Sequence, residues 1–277
     1  MDREAYLSEM YSEDDKILIA LFTKEANKLK SAFWDGIKKK DTKTLIKNLN
    51  ASMKNLNDAY KIRTNKRIPQ EYYKGGVYMN DVLNGTDSLI GLGNFTEKEI
   101  LNKIKMELWP AHIEAVESLM NTSRNYVKVA VNSMETEIIT MVGKFHQEKI
   151  KEEIAGWMLT WRSDIKTNLI KYFQENSILQ LKDRAGRKRD YKRYIDMITR
   201  TETSIANVQG TINRALQLGA TKFKIYENAG CCSHCAVYNG TIVDIKNGMV
   251  ELPPFHPNCR GFISSVLEDE TTSNINT

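Results

Sequence analysis

Long stretches of this chain place apolar residues at helical spacing. The first stretch covers residues 14–63, where lysines fill many positions between the apolar ones. A recurrence near every 3.6 residues is typical of amphipathic helices, so the pattern predicts two or three of them here. The apolar positions are Ile17, Leu18, Leu21, Phe22, Leu45, Leu49 and Met53.

The helical pattern changes in residues 69–94. Tyrosines accompany a proline and several glycines, and both glycine and proline weaken a helix. We therefore predict a long structured loop, with space for one short strand. The glycines are Gly75, Gly76, Gly85, Gly91 and Gly93.

A second helical stretch follows Pro110, a residue type suited to the first turn of a helix. No further proline occurs before Pro253, and one apolar face continues to residue 173. We predict a long helix that buries this face in helix packing rather than against a ligand. His112 and His146 have no second potential ligand three or four residues later, so we assign neither a metal-binding role. The apolar positions are Ile154, Trp157, Met158, Trp161, Ile165, Leu169 and Phe173.

The C-terminal part combines one helix with a small sheet. Residues 194–218 return to helical spacing, and Gly219 follows, as glycine commonly follows the end of a helix. Residues 222–227 alternate like a half-buried strand, and Asn239-Gly240 is a dipeptide that tight hairpin turns prefer. The predicted fold class is α+β and mostly α-helical: a long helical N-terminal region precedes a small module of helix and antiparallel sheet.

A length of 277 residues favours two domains, and 41% apolar residues suffice for a core in each. We place the boundary at residue 182, where cations crowd around Gly186. Residues 1–181 then form a helical region for partner docking, and residues 182–266 form a metal-binding domain. Residues 267–277 form an acidic, polar tail that we expect to be disordered.

Charge and hydropathy narrow the functional classes. The net charge of +5 permits contact with nucleic acid or an acidic protein without requiring either. Residues 1–11 contain no apolar run of a secretory signal, and no stretch approaches the roughly 20 apolar residues of a spanning helix. We therefore expect a protein of the cytosol with no membrane span.

The four cysteines all lie in residues 231–259, which indicates a metal site rather than a disulfide framework in a reducing cytosol. Cys232 and Cys235 form one pair of potential ligands, and His256 and Cys259 form a second pair with the same spacing. Three thiolates and one imidazole suit a tetrahedral zinc ion with no open position for water. We predict a structural Zn2+ held by these four residues, and no zinc hydrolase.

Other assignments remain open for this segment. Cys231 or His234 can replace a neighbouring ligand, and a disulfide or buried thiols are alternatives to a metal. Catalysis by Cys232 or Cys235 with His256 as base would need a third, orienting group, and the sequence indicates none.

Residues around the second ligand pair add stiffness and charge. Pro253, Pro254 and Pro257 restrict the backbone of the loop that carries His256. Arg260 either donates a hydrogen bond to a thiolate or a backbone carbonyl behind the ligands, or faces solvent.

One dense basic cluster precedes the C-terminal helix. Cations on an accessible face can contact nucleic-acid phosphates, but a solvated helix start explains the same residues, and no aromatic interleaving supports base stacking. Within the helix, Arg200-Thr-Glu202 is expected to have a structural hydrogen-bonding role rather than a catalytic one. The cluster comprises Arg184, Arg187, Lys188, Arg189, Lys192 and Arg193.

The order of these motifs resembles the phage minor head proteins, the superfamily of phage Mu protein F-like morphogenesis proteins and phage minor capsid protein 2. The resemblance covers about a third of the chain, and the family's metal candidates fall on the four ligands named above. Many relatives have tryptophan where this chain has Arg189, and a second cysteine where it has Gly261. The matching motifs are Asp183-Arg-Ala-Gly-Arg-Lys188, residues 194–201 with Arg200-Thr201, Cys232 to Cys235, Asn239-Gly240 and Pro253-Pro-Phe-His-Pro-Asn-Cys-Arg260.

The resemblance implies a low-copy component of a tailed-phage virion, placed in the head near the portal vertex after assembly in the host cytoplasm. It implies the portal protein as partner, with packaged DNA or a major capsid or scaffold protein as further options. The implied role is head morphogenesis, or genome packaging and delivery.

Two other functions are alternatives. A zinc-ribbon DNA-binding protein would read a duplex through base contacts, but residues 238–245 offer few donors for that. A phage-delivered effector enzyme would need an appended catalytic domain, and the short stretch after the metal-binding domain leaves no room for one. We therefore expect no enzyme.

Overall fold

The computed structural model describes residues 16–25, 27–28, 31, 42–85, 95–108, 110–155, 180–182, 186–247 and 250–266. These residues are mostly helical, with a small antiparallel sheet towards the C-terminus, which confirms the predicted fold class. Residues 16–25 are helical. The helices that follow are α1 (Thr42–Asn84), α2 (Glu97–Lys103) and α3 (Ala111–Ala155), with a π-helical segment at Ile104–Leu108.

Helix α1 continues through the segment for which the sequence predicts a loop, so that prediction is wrong for residues 69–84. Pro69 lies inside the helix, and Gly75 and Gly76 are buried in it. Gly75 is needed for space, because a Cβ there would lie 2.0 Å from the carbonyl oxygen of Asn207. Residues 86–94 lie outside the described part of the chain.

The long helix predicted after Pro110 is confirmed as α3. The apolar positions from Trp157 to Phe173 lie outside the described residues. His112, near the start of α3, is buried, and its Nδ1 atom lies 2.9 Å from the hydroxyl oxygen of Tyr72. This histidine therefore joins α3 to α1.

Helix α4 (Tyr191–Gln217) crosses α1 with the two backbones in contact. A Cβ on Gly210 of α4 would lie 2.0 Å from the Tyr72 carbonyl oxygen. Side chains of α4 also donate hydrogen bonds to α1 carbonyl oxygens, from Asn207 Nδ2 to Glu71 and from Thr211 Oγ1 to Gly75, both at 3.2 Å. Such a close crossing requires residues without side chains at the contact.

Three strands form the C-terminal sheet: β3 (Lys222–Tyr226), β4 (Ile242–Asp244) and β5 (Phe262–Ser265). Their order in the sheet is β4-β3-β5. The central strand β3 confirms the strand predicted for residues 222–227. The sequence pattern predicts no strand at the position of β5. Both neighbours are antiparallel, with Phe223 opposite Val243 on one side and Ser265 on the other. The buried side chains packed around β3 are Met79, Val208, Ala215, Phe223, Ile225 and Ile263.

Asn239-Gly240 forms a turn, but not the tight hairpin that the dipeptide predicts. Residues 227–241 separate β3 from β4 and include a short helix, α5 (Ser233–Ala236). At the end of this loop the Thr241 N–H donates to the Tyr238 carbonyl at 3.0 Å, and the Gly240 N–H donates to the Ile225 carbonyl at 2.8 Å. The turn therefore returns a long loop to the sheet.

The basic segment forms a small hairpin of β1 (Gln180–Lys182) and β2 (Lys188–Asp190), with Leu181 opposite Arg189. Gly186 between the strands has φ 76°, a conformation that glycine adopts without steric cost. The predicted helix start is therefore wrong for Lys188 and Arg189. It is correct for Arg193, which lies in the first turn of α4.

The chain divides into two compact units. The first unit contains the described residues of Lys61–Arg124 and Met197–Thr277. The second unit contains the described residues of Lys16–Tyr60 and Asn125–Asp196. The C-terminal sheet and the crossing of α1 with α4 belong to the first unit. The domain boundary at residue 182 stays a prediction.

Candidate metal centre

Helix α5 presents the first pair of potential ligands. Cys232 is its N-cap residue, with φ −69° and ψ 163°, and Cys235 lies inside the helix. Because three residues make up most of one helical turn, the two side chains lie on the same side. The Ala236 N–H donates to the Cys232 carbonyl at 3.0 Å and closes this turn.

The second pair lies in a tight turn before β5. The Cys259 N–H donates to the His256 carbonyl at 3.0 Å, and Asn258 between them has φ 65°. The Asn258 N–H donates to Thr201 Oγ1 at 3.2 Å, and that hydroxyl donates to the Met197 carbonyl at 2.7 Å. The ligand turn is therefore held against α4 by a hydrogen-bonding residue of the Arg200-Thr-Glu202 segment.

The structure brings three of the four predicted ligands into one group and places the fourth, Cys259, beside Cys235 in a second group. The His256 Nε2 atom lies 3.2 Å from Cys232 Sγ and 2.9 Å from Cys235 Sγ, and Cys235 Sγ lies 3.7 Å from Cys259 Sγ. Zn–S bonds of about 2.3 Å in tetrahedral geometry would separate two thiolates by about 3.8 Å. The two cysteine sulfurs match this spacing, and Cys232, Cys235 and His256 form a group that can hold a metal ion.

Hydrogen bonding selects the histidine nitrogen that faces the thiols. The Nδ1 atom of His256 lies 2.8 Å from the Pro257 carbonyl oxygen, which can only accept a hydrogen bond. Nδ1 therefore carries a proton, and Nε2 is the nitrogen available to a metal. An orienting bond on the second ring nitrogen is usual for metal-binding histidines.

The pKa values of these groups shift in directions set by their contacts. A hydrogen bond from the Cys235 backbone N–H is the largest influence lowering the pKa of the exposed Cys232 thiol. Burial raises the pKa of the Cys235 thiol. The bond to the Pro257 carbonyl raises the pKa of His256. A metal ion binding to Cys235 must displace a firmly held proton, so metal affinity falls as pH falls.

The cysteines differ in burial but not in oxidation state. Cys235 and Cys259 are 1% and 5% exposed, whereas Cys232 is exposed. All four cysteines have free thiols, so none forms the disulfide that the sequence left open. Cys231 and His234 belong to neither of the donor groups found within the described residues.

Glu227, directly after β3, is a potential ligand that the sequence analysis missed. Its Oε1 atom lies 3.9 Å from Cys259 Sγ, and Glu227, Cys235 and Cys259 form a second group of three donors. Gly261 leaves the space for this carboxylate, since a Cβ there would lie 2.1 Å from Oε1. Burial raises the pKa of Glu227. A single acidic residue outside the paired spacing gives no signal in the sequence.

The remaining predicted site residues are the basic cluster and Arg260. Arg187, Arg189 and Arg193 of the basic cluster are exposed, and so is Arg260 beside the second ligand pair. Arg184 and the side chains of the two lysines of the cluster lie outside the described residues. Phosphate contact by the cluster and a supporting role for Arg260 stay predictions.

One known protein family matches nearly the whole chain. The profile of the phage minor capsid protein 2 family matches residues 4–256 of the 277. The chain belongs to the phage minor capsid protein 2 family. The family match includes three of the four predicted ligands and ends at His256, so Cys259 lies just beyond it.

Membership of the phage minor capsid protein 2 family confirms the resemblance drawn from the C-terminal motifs and extends it through the N-terminal helices. The family is one of structural proteins of the phage particle. Comparison with curated proteins and with solved structures finds no match. Among the described residues of this phage minor capsid protein, no helix is both long and apolar enough to cross a membrane.

Proposed function

We propose that this phage minor capsid protein is a portal-associated component of a tailed-phage head. It acts in head morphogenesis and in the packaging or delivery of the genome, near the portal vertex of the virion, after assembly in the host cytoplasm. The observation that carries the proposal is the family match over residues 4–256. The portal protein is the partner implied by the C-terminal motifs.

The proposed cofactor is a structural Zn2+ bound by Cys232, Cys235, His256 and Cys259. The donor chemistry supports it, since thiolates and imidazole are the ligands that zinc prefers. Four protein ligands leave no position for water or substrate, so the ion stabilises the module and takes no part in catalysis. When bound, zinc would link the α5 loop to the turn before β5.

The residues around the ligands support a rigid metal module. Thr201 accepts a hydrogen bond from the ligand turn, and Pro257 fixes the histidine ring through its carbonyl oxygen. Central strand β3, which precedes the first ligand pair, is anchored by the fully buried Phe223 and Ile225. A rigid C-terminal module can hold a fixed orientation against a partner.

Packaged DNA is the second proposed partner, through the basic cluster. Arg187, Arg189 and Arg193 are exposed cations on the β1–β2 hairpin and the start of α4. Phosphate contacts need accessible cations and no base recognition, which suits DNA of any sequence. A major capsid or scaffold protein is the alternative partner.

Co-expression with the portal protein of the same phage tests the portal association. We expect the two proteins to purify as one complex, with one zinc per copy of this chain by elemental mass spectrometry. The Arg187→Glu/Arg189→Glu variant should keep portal binding and lose DNA retention in filter binding. Failure to capture the portal would contradict the assignment to the portal vertex, and a purified chain without metal would contradict the zinc site independently.

A further inference from the structure

The metal centre offers five donors where a tetrahedral ion needs four. Cys232, Cys235 and His256 form one group, and Glu227, Cys235 and Cys259 form the other, with the ligand atoms of each group within 4.8 Å of one another. Cys235 belongs to both groups. The two groups together contain five donors around Cys235, one more than a tetrahedral ion needs.

These donors differ in their solvent exposure. Cys232 is exposed, Glu227 is half-buried, and Cys235 and Cys259 are buried. Alkylating agents and oxidants react with accessible thiolates in preference to buried ones. Cys232 is therefore the ligand that is removed most easily from the centre.

One hydrogen bond and one glycine keep Glu227 beside the metal centre. Its backbone N–H donates to Asn239 Oδ1 at 3.0 Å, which fixes the end of β3 against the turn before β4. The missing side chain of Gly261 leaves room for the carboxylate. The 3.9 Å between Glu227 Oε1 and Cys259 Sγ is close to the roughly 3.6 Å that tetrahedral zinc sets between an oxygen and a sulfur ligand.

We propose that Glu227 is a reserve ligand, which takes the fourth coordination position when Cys232 leaves it. This inference rests on the proposed zinc site. With zinc bound, the Cys232 thiolate would leave the ion and take a proton from water, and the Glu227 carboxylate would take its place as ligand. Carboxylate oxygens are ordinary zinc ligands, and one anion replaces another, so the net charge of the centre is unchanged.

The exchange has a consequence for a particle that leaves the reducing cytosol. The solvent-exposed thiolate of Cys232 is open to oxidation outside the cell, where disulfides and oxidised thiols persist. With Glu227 in reserve, loss of Cys232 leaves three other protein ligands and a fourth within reach. The module then keeps its metal and its fold.

The test compares zinc affinity in the full chain and in its Glu227→Gln, Cys232→Ser and doubly substituted variants, by competition with a chromophoric chelator. Glu227→Gln alone should change the dissociation constant by no more than about twofold, because the carboxylate is not bound while Cys232 is. In the Cys232→Ser background the same change should weaken binding by at least about tenfold. The absorption spectrum of the cobalt-substituted Cys232→Ser protein should also change on Glu227→Gln.

Two further variants serve as controls. Glu251→Gln alters an exposed carboxylate that accepts from the Tyr238 hydroxyl, and it should have no effect in either background. Gly261→Ala should reproduce Glu227→Gln in the Cys232→Ser background, because the new Cβ displaces the carboxylate. Equal effects of Glu227→Gln in both backgrounds would overturn the reserve ligand and leave the zinc site intact. A wild-type chain that binds no zinc would overturn both.

Discussion

Gly75 of α1 and Asn207 of α4 are in contact through their backbones. A Cβ on Gly75 would lie 2.0 Å from the Asn207 carbonyl oxygen, and a Cβ on Gly210 would lie equally close to the carbonyl oxygen of Tyr72. A helical carbonyl cannot retreat unless its helix moves, so the two glycines set the distance between α1 and α4. Because Thr201 of α4 bonds to the ligand turn, the crossing also positions one support of the metal centre.

We expect Gly75→Ala to lower the free energy of unfolding by about 3 kcal/mol or more. Overpacking in a core typically costs less than this, but here the new atom meets a backbone oxygen that no rotamer change can move. Chemical denaturation followed by circular dichroism measures the loss.

Gly76→Ala is the matched control for this crossing. Its Cβ would lie 2.7 Å from Leu108 Cδ1, the end of a flexible side chain that can turn aside. Alanine also favours the helix over glycine by about 1 kcal/mol, which offsets part of the remaining cost. Equal losses for the two variants would contradict the backbone contact as the cause.

The same two glycines explain why the sequence misplaces a loop. Local propensity treats Pro69, Gly75 and Gly76 as helix breakers, and the predicted loop rests on that propensity. Asn207, whose carbonyl oxygen leaves no room for a side chain at Gly75, is more than a hundred residues later. Tertiary contact therefore overrides propensity here.

The metal ligands are easier to predict than their surroundings. Cys232, Cys235, His256 and Cys259 follow a paired spacing that depends on local turns alone, and local turns are encoded locally. Glu227 and Thr201 approach the site through the register of the sheet and the position of α4. Their roles depend on long-range packing, so the sequence gives no signal for either.

Cys235→Ala removes the donor that the two groups share. We expect loss of zinc and unfolding of the C-terminal sheet, because metal binding and folding are coupled in small sites. The apolar cluster around Tyr72 and Val116 contains no strand residue, so the helices that form it should persist. Limited proteolysis with elemental analysis measures both effects.

Cys231→Ser is the control for the cysteine experiment. Cys231 precedes the first ligand pair and lies outside both donor groups, so this variant should keep its zinc and its protease resistance. Unchanged protease resistance of residues 182–266 in the Cys235→Ala protein would show that the module does not depend on a metal.

Thr201→Val removes the hydroxyl that accepts the Asn258 N–H. We expect a loss of about 1 kcal/mol in stability and roughly tenfold weaker zinc binding, because an outer support of the ligand turn is gone. Thr136→Val removes an exposed hydroxyl that donates to the Asn132 carbonyl of its own helix, and it should leave zinc affinity unchanged. Equal zinc affinity in the Thr201 variant and the wild type would show that the hydrogen bond does not support the site.

Glu202 of α4 should make the protein less stable as pH rises. Its side chain is buried, and burial raises its pKa from 4.5 to about 7. The folded state therefore holds a proton that the unfolded state releases at lower pH. The contribution of this residue to stability is fully present below pH 4.5 and falls between about pH 4.5 and 7, by roughly 3 kcal/mol in total.

Glu202→Gln should remove this pH dependence, because the amide stays neutral at every pH in the window. The variant is then expected to be more stable than the wild type at pH 8, by up to roughly 3 kcal/mol, with the difference vanishing near pH 4.5. Denaturation of both proteins across this range gives the difference directly, and any loss of metal in acid affects both alike. Glu117→Gln, at an exposed position of α3, should show no such trend. A Glu202→Gln protein that is less stable than the wild type at pH 8 would mean that the ionised carboxylate has a stabilising partner in the folded state.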